Sequence, residues 1–260
     1  MIGRVYLVGA GPGDPELLTV KAARILKSAD VVLYDALVDE SILALMRPHA
    51  LLVDVGKRAG EKQIAQEDIN RMLVDFARSA AAVVRLKGGD PLMFGRVAEE
   101  MAALRRAGID FEIVPGITAA VAASAQAQIP LTDRNVASSV VFLTAQHAKD
   151  KEPTDIGRFA AAGSTLAIYM PHGRYAEIAK QVIAAGVSPG MPCLIVSNAT
   201  RPNQELHWTD LAGLQFVSPP VAPALLIIGE VAKRPEAIIP TAAAFYAANK
   251  TSFETIHQEL

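Results

Sequence analysis

The sequence holds one cysteine, Cys193, in 260 residues, which excludes an internal disulfide and a cysteine-rich metal site. Cys193 stands in the apolar run Pro192–Val196 and reads as a buried strand residue rather than a nucleophile. An excess of charge of either sign is also missing. The 25 Lys and Arg nearly balance 27 Asp and Glu, for a formal net charge of -2, so no global field would recruit nucleic acid or an anionic lipid surface. A pocket for a small polyanion needs only a few local cations and stays open. No apolar run approaches the roughly 18 to 20 residues that span a bilayer. No basic-then-apolar leader comes before Val5–Val8, and Gly3 is one position too late for myristoylation, so the expected location is cytoplasmic. His49, His147, His172, His207 and His257 show no ligand spacing and no HExxH pattern occurs. No metal is expected.

What is present is apolar and evenly spread: 51% of residues are hydrophobic and 20% charged, a globular composition with material for a large core. Short apolar runs alternate with amphipathic stretches. Strands are expected at Arg4–Val8, Val31–Tyr34, Leu51–Val55, Ala82–Leu86 and Phe111–Val114. Between and after them, helices are expected at Leu17–Ser28, Ser41–Leu45, Gln66–Arg78, Val97–Ala107 and Thr118–Ala127. Pro130, in Ile129–Thr132, breaks the pattern, because proline cannot continue a helix. Beyond it, strands are expected at Ser139–Thr144, Thr165–Met170, Cys193–Ser197 and Ala224–Gly229, with Gln204–Thr209 as a candidate edge strand. Helices Ile156–Ala162 and Tyr175–Ala185 intervene, and hairpin connections are also open here. The alternation predicts an α/β fold with mostly parallel sheets covered on both faces. Two unequal α/β domains are expected, at 1–132 and 133–240, followed by a terminal helix or tail over 241–260.

Ligands of parallel α/β sheets gather beyond the carboxyl ends of the strands. The residues there are Gly9–Asp14, Asp35, Gly56–Arg58, Lys87–Asp90, Pro115–Thr118, Met170 and Asn198, a concentration of glycine and charge that marks a candidate active site. The loop Gly9-Ala10-Gly11-Pro12-Gly13-Asp14 invites a dinucleotide reading. It fits poorly, because the third glycine of that fingerprint falls on Asp14. Pro12 also removes an N–H that a phosphate would use, and Asp14 would repel the phosphate. An uncharged or cationic ligand, or a bare tight turn, remains open. Lys87-Gly88-Gly89-Asp90-Pro91 clears side chains from another strand end and sets a carboxylate there. That carboxylate suits ribose hydroxyls, an amino group or a sulfonium.

Together the two loops resemble the tetrapyrrole (corrin/porphyrin) methylase family over nearly the whole chain. Val8-Gly9-Ala10-Gly11-Pro12-Gly13-Asp14-Pro15, running on to Ala22, is similar to that family's N-terminal signature. Val84-Arg85-Leu86-Lys87-Gly88-Gly89-Asp90-Pro91, through Arg96 and on to Val114-Pro115-Gly116-Ile117-Thr118, is similar to its second. Leu33–Val38, Val55–Gly60 with Gln66–Asn70, and Ile129–Thr132 resemble the uroporphyrinogen-III C-methyltransferases within the family.

The resemblance implies a cofactor cleft between the two α/β domains, a homodimer, and S-adenosylmethionine (SAM) as methyl donor, leaving S-adenosylhomocysteine (SAH). It implies two successive methylations of uroporphyrinogen III, at C2 and C7, giving precorrin-2 by way of precorrin-1. The implied cofactor contacts are Pro12, Gly88, Gly89, Asp90, Met93, Thr118, Ala119, Met170 and Ala199. Asp35 and Lys57 match a proton-handling pair. Arg96, Glu99 and Arg134 match positions for substrate binding or proton removal, with Met170 also facing substrate. Read from residue type alone, Asp35 also suits a helix cap, Lys57 and Arg58 a solvated pair, and the two arginines surface ion pairs. Departures are Val97 after Gly95-Arg96, Asp133 in place of a histidine, and Ser197-Asn198-Ala199-Thr200 in place of Glu-Asn-Gly-Thr. The other readings are a family member acting on a later precorrin, a diphthamide intermediate or ribosomal RNA, a nicotinamide-dependent enzyme, and a non-catalytic tetrapyrrole carrier.

Overall fold

The structure, a computed structural model, describes residues 2–56, 64–146, 155–160 and 163–235. The first half alternates strand and helix: β1 (Arg4–Gly9), α1 (Val20–Leu26), β2 (Val31–Tyr34), α2 (Glu40–Leu43) and β3 (Leu51–Asp54). It continues with α3 (Gln66–Ser79), β4 (Ala82–Lys87), α4 (Val97–Arg106), β5 (Phe111–Val114) and α5 (Ala119–Gln126). The five strands form one sheet in the order β3-β2-β4-β1-β5, every pair parallel. Alternate side chains serve opposite faces. Val5, Leu7, Leu33 and Val83 pack with Leu73 of α3 and Leu104 of α4. Val8, Val32 and Val84 pack with Leu26 of α1 and Ile42 of α2. Burial on both faces is why β1, β2 and β4 are mostly apolar in the sequence.

The second half holds β6 (Val140–Thr144), α6 (Gly157–Ala160), β7 (Thr165–Tyr169), α7 (Tyr175–Ala184) and β8 (Pro192–Ser197). After these come β9 (Glu205–Asp210), α8 (Leu211–Leu214) and β10 (Ala224–Ile228). Its sheet runs β6-β7-β10-β8-β9. Only β6 and β7 pair in parallel; β10 is antiparallel to both β7 and β8, and β9 is an antiparallel edge. The expected parallel character therefore holds in the first sheet and not in the second. The link 198–204 between β8 and β9 is too short for a helical crossover, so the chain must turn back on itself.

Two further differences are local. The expected helix over Leu17–Ser28 is two elements, because two caps compete. Asp14 accepts from Glu16 N–H and caps a 3-10 turn at Pro15–Leu17, while Thr19 Oγ1 accepts from Ala22 N–H and starts α1. Helix α8 has only four residues, too few to show a period, and is set by Asp210 accepting from Gly213 N–H at 2.7 Å. The expected terminal segment 241–260 lies outside the described residues. No helix among the described residues is long and apolar enough to cross a membrane.

Helix α5 joins the two sheets. Ala120 and Ala123, with Ala127 just beyond, pack against Leu194, Val196, Leu225 and Ile227 of the second sheet. Small side chains let the helix approach the strands closely. The opposite face of that sheet is covered by Ile156 and by α6, α7 and α8 through Phe159, Tyr175, Ile178, Leu211 and Leu214.

Candidate active site

The carboxyl ends of β1, β4 and β5 are tied together by backbone. Gly11 N–H donates to Gly89 O at 3.1 Å and Gly89 N–H to Gly11 O at 2.7 Å, a short antiparallel bridge between the two glycine loops. A third loop closes on them at Gly116, where a Cβ would sit 2.3 Å from Gly89 O and 2.9 Å from Gly9 Cα. Only glycine permits that approach. Asp90 secures the junction: Oδ1 accepts from Leu92 N–H and Oδ2 from Gly116 N–H, both at 2.8 Å. The carboxylate expected to face a ligand thus has one oxygen turned into its own loop and the other joining that loop to the third.

Above this junction lies a cavity of about 1020 Å³, its open mouth included. The first half contributes Pro12, Asp35, Leu37, Gly88, Gly89 and Asp90, then Met93, Phe94, Thr118 and Ala119. The second contributes Tyr169, Met170, Val196, Ala199, Arg201 and Pro223–Leu225. All nine residues matched to cofactor contacts line this one space, and so does Asp35. Both sheets supply strand ends to it: β7 and β8 by their carboxyl ends, and antiparallel β10 by its start.

Asp35 is not a helix cap; α2 is capped by Asp39, whose Oδ1 accepts from Ser41 N–H at 3.0 Å. Asp35 instead pairs with Arg85 Nη2 in the cavity wall. Arg85 Nε donates to Glu100 Oε1 at 2.9 Å, and Lys87 Nζ to the same oxygen at 3.0 Å. Gln66 Nε2 donates there too, at 3.3 Å. Arg85, Lys87 and Glu100 are all buried, so a closed row of alternating charge runs from the cavity wall into the core. Burial works against the charge on Arg85, but Asp35 and Glu100 outweigh it and hold its pKa above the ordinary arginine value. Burial and the neighbouring Arg85 push Lys87 down, against the pull of Glu100 and Asp35. The two cations differ because Arg85 touches both carboxylates and Lys87 only one.

Tyr169, at the end of β7, reaches the start of α5. Its hydroxyl accepts from Ala120 N–H at 3.1 Å and shares a hydrogen bond with Thr118 Oγ1 at 2.7 Å. Its ring lies 5.0 Å from that of Phe94. Burial pushes the phenol pKa up despite those hydrogen bonds, so the group is neutral near neutral pH. Backbone strain collects here as well. Phe94, Met170, Asn198 and Thr200 all have positive φ without being glycine, a conformation that costs about 1 kcal/mol or more per residue. Tyr169 and Arg201 have no sequence signal of their own; Tyr169 is one residue from Met170, and Arg201 two from Ala199.

Other expected residues lie elsewhere. Arg96 and Glu99 form an exposed ion pair on the first turn of α4, with Nε–Oε1 and Nη2–Oε2 both 2.8 Å, and neither lines the cavity. Arg134 is exposed in a turn closed by the Asp133–Ala137 bridge. Asp133 accepts from Asn135 N–H at 2.7 Å, so it caps that turn. Lys57 lies outside the described residues. Cys193 is buried, and burial pushes its thiol pKa up, as suits a packing residue. No group of three or more metal-ligating side chains occurs among the described residues.

The profile described as "Tetrapyrrole (Corrin/Porphyrin) Methylases" matches residues 4–215. A protein named siroheme synthase 1 from Cronobacter sakazakii is 47% identical over 230 residues, 88% of this chain and 49% of its own length. Siroheme synthase 2 of Aeromonas hydrophila is 48% identical over 231 residues, again 88% of this chain and 49% of its own. The chain thus spans about half the length of these curated relatives. Among solved structures, uroporphyrin-III C-methyltransferase from Thermus thermophilus complexed with S-adenosylhomocysteine aligns with a TM-score of 0.77 and 44% identity, covering 88% of this chain and 98% of that one. A cobalt precorrin-4 methyltransferase aligns with a TM-score of 0.79 and 32% identity, covering 88% and 96%.

Proposed function

The chain belongs to the tetrapyrrole (corrin/porphyrin) methylases, and from that membership we propose that it is a SAM-dependent C-methyltransferase of uroporphyrinogen III, forming precorrin-2 by two successive methylations. The observation that carries this reading is the convergence of Pro12, Gly88, Gly89, Asp90, Met93, Thr118, Ala119, Met170 and Ala199 on one cavity. The walls suit the donor. Val196, Pro223 and Leu225 offer apolar surface to a purine, and the Gly88-Gly89 backbone admits close approach of a ribose or amino-acid end.

SAM brings a methyl group already activated on a sulfonium. The protein's work is to align that methyl with a ring carbon and to exclude water, and such positioning contributes roughly 7 to 11 kcal/mol in favourable cases. As the ring carbon–methyl bond forms and the sulfur–methyl bond breaks, the macrocycle gains positive charge and must lose a proton. Asp35 is the proposed acceptor. Arg85 fixes its carboxylate in the cavity wall while leaving it partly exposed. Arg96, Glu99 and Arg134, outside the cavity, are assigned to carboxylates on the macrocycle periphery. Lys57 belongs to the same proposal as Asp35's partner, as does a homodimeric assembly.

Anoxic incubation with SAM and uroporphyrinogen III, followed by mass spectrometry, tests this. Two added methyl groups per macrocycle are expected. SAM binding without transfer to uroporphyrinogen III would reassign the chain to a later precorrin, the substrate class named for the second solved structure. Tetrapyrrole binding with no transfer to any acceptor would leave a carrier.

A further inference from the structure

Of the described residues that line the cavity, Arg201 is the only cation. It follows Thr200, whose Oγ1 accepts from Asp14 N–H at 3.2 Å across the two halves of the chain. The Arg201 side chain crosses the same gap, and its Nη2 donates to the backbone carbonyl of Leu37. It lies flat against Gly13, where a Cβ would come within 2.9 Å of both Nε and Cγ, and Gly13 has a φ of +147° that favours glycine. Packed there, Nε is buried without a hydrogen-bond partner. Leaving a buried donor unpaired is costly, so the fold gives up stability to hold a guanidinium at this place.

Nor does a neighbouring carboxylate touch the guanidinium. No carboxylate among the described residues forms an ion pair with Arg201. Asp39 senses its charge but has Oδ1 committed to the backbone and hydroxyl of Ser41. Asp35 is committed to Arg85, and Asp90 to two backbone N–H groups. A guanidinium has five donors in a fixed fork. One meets Leu37 O and one is buried on Gly13, which leaves donors on the terminal nitrogens at the cavity wall. We propose that Arg201 binds a ligand carboxylate in this cavity. This deepens the reading of the site as one for SAM and a polycarboxylate macrocycle, and rests on it for the two sources of that carboxylate: the amino-acid end of the donor, or an acid side chain of the acceptor.

Arg201→Met and Arg201→Lys separate the sources once thermal melting shows that both variants fold. Calorimetry would compare binding of SAH with that of 5′-methylthioadenosine, which lacks the amino-acid end. Kinetics would give KM for uroporphyrinogen III. A loss of about tenfold or more in Arg201→Met is expected for one ligand, partly restored in Arg201→Lys. If SAH weakens and methylthioadenosine does not, the donor carboxylate is bound. If SAH is unchanged and KM rises, the macrocycle carboxylate is bound. Equal weakening of SAH and methylthioadenosine, or no change in any of the three, overturns the proposal and leaves Arg201 a strap between the two halves. Should the wild-type protein not methylate uroporphyrinogen III, the proposed function fails separately. The calorimetric arm would still report on Arg201, and fluorescence-detected uroporphyrin III binding would replace KM.

Discussion

Glu99 and Glu100 stand side by side on α4 and have opposite fates. Glu99 is exposed and paired with Arg96, while Glu100 is buried with Arg85, Lys87 and Gln66 around one of its oxygens. Removing Glu100 leaves two buried cations without their shared counter-ion. Glu100→Ala is therefore expected to lose about 3 kcal/mol or more in urea unfolding, and Glu99→Ala less than about 0.5 kcal/mol. A loss for Glu100→Ala as small as the one expected for Glu99→Ala would show that Arg85 and Lys87 do not depend on this counter-ion. The distinction was legible in part: Val97, Glu100, Ala103 and Leu104 share the buried face, and helical spacing alone puts Glu100 with them. The charge of Glu100 hid that pattern. A second test concerns Tyr175, whose phenol burial pushes up to about 12 from an ordinary 10. Above pH 10 the unfolded chain releases this proton while the folded chain keeps it, so stability falls as pH rises from about 10 to 12. Relative to wild type, Tyr175→Phe should be more resistant to alkali by about 1 kcal/mol at pH 11. Parallel alkaline unfolding curves for the two proteins would refute this.

At the scale of elements, the strands of the first sheet could be read closely because each is a mostly apolar run between breakers. Their carboxyl ends stand out in the sequence by glycine and charge. The direction of β10 was not legible, since an apolar run carries no sign of which neighbours it will pair with. Nor was the joining of three loops, which depends on backbone contacts between segments up to about a hundred residues apart. Gly116 makes that dependence measurable. A methyl group there would overlap Gly89 O at 2.3 Å and push the second glycine loop off the third. Gly116→Ala is expected to weaken SAH binding by tenfold or more, roughly 1.4 kcal/mol, with far-ultraviolet circular dichroism unchanged. Unaltered affinity would show that the junction tolerates the shift.

For the molecule as a whole, the placement of α5 matters most. It follows β5 in the chain, yet its alanines pack against β8 and β10. The Tyr169 hydroxyl ties its first turn to the end of β7. A fragment ending at residue 132, where Pro130 marks a sequence break, would carry this helix with its apolar stripe uncovered. It should aggregate, or bind the hydrophobic dye ANS, until the remainder of the chain is supplied in trans. A monomeric, dye-silent fragment would contradict this. Any chain spliced in place of the second half would therefore have to present a surface that seats the alanine face of α5.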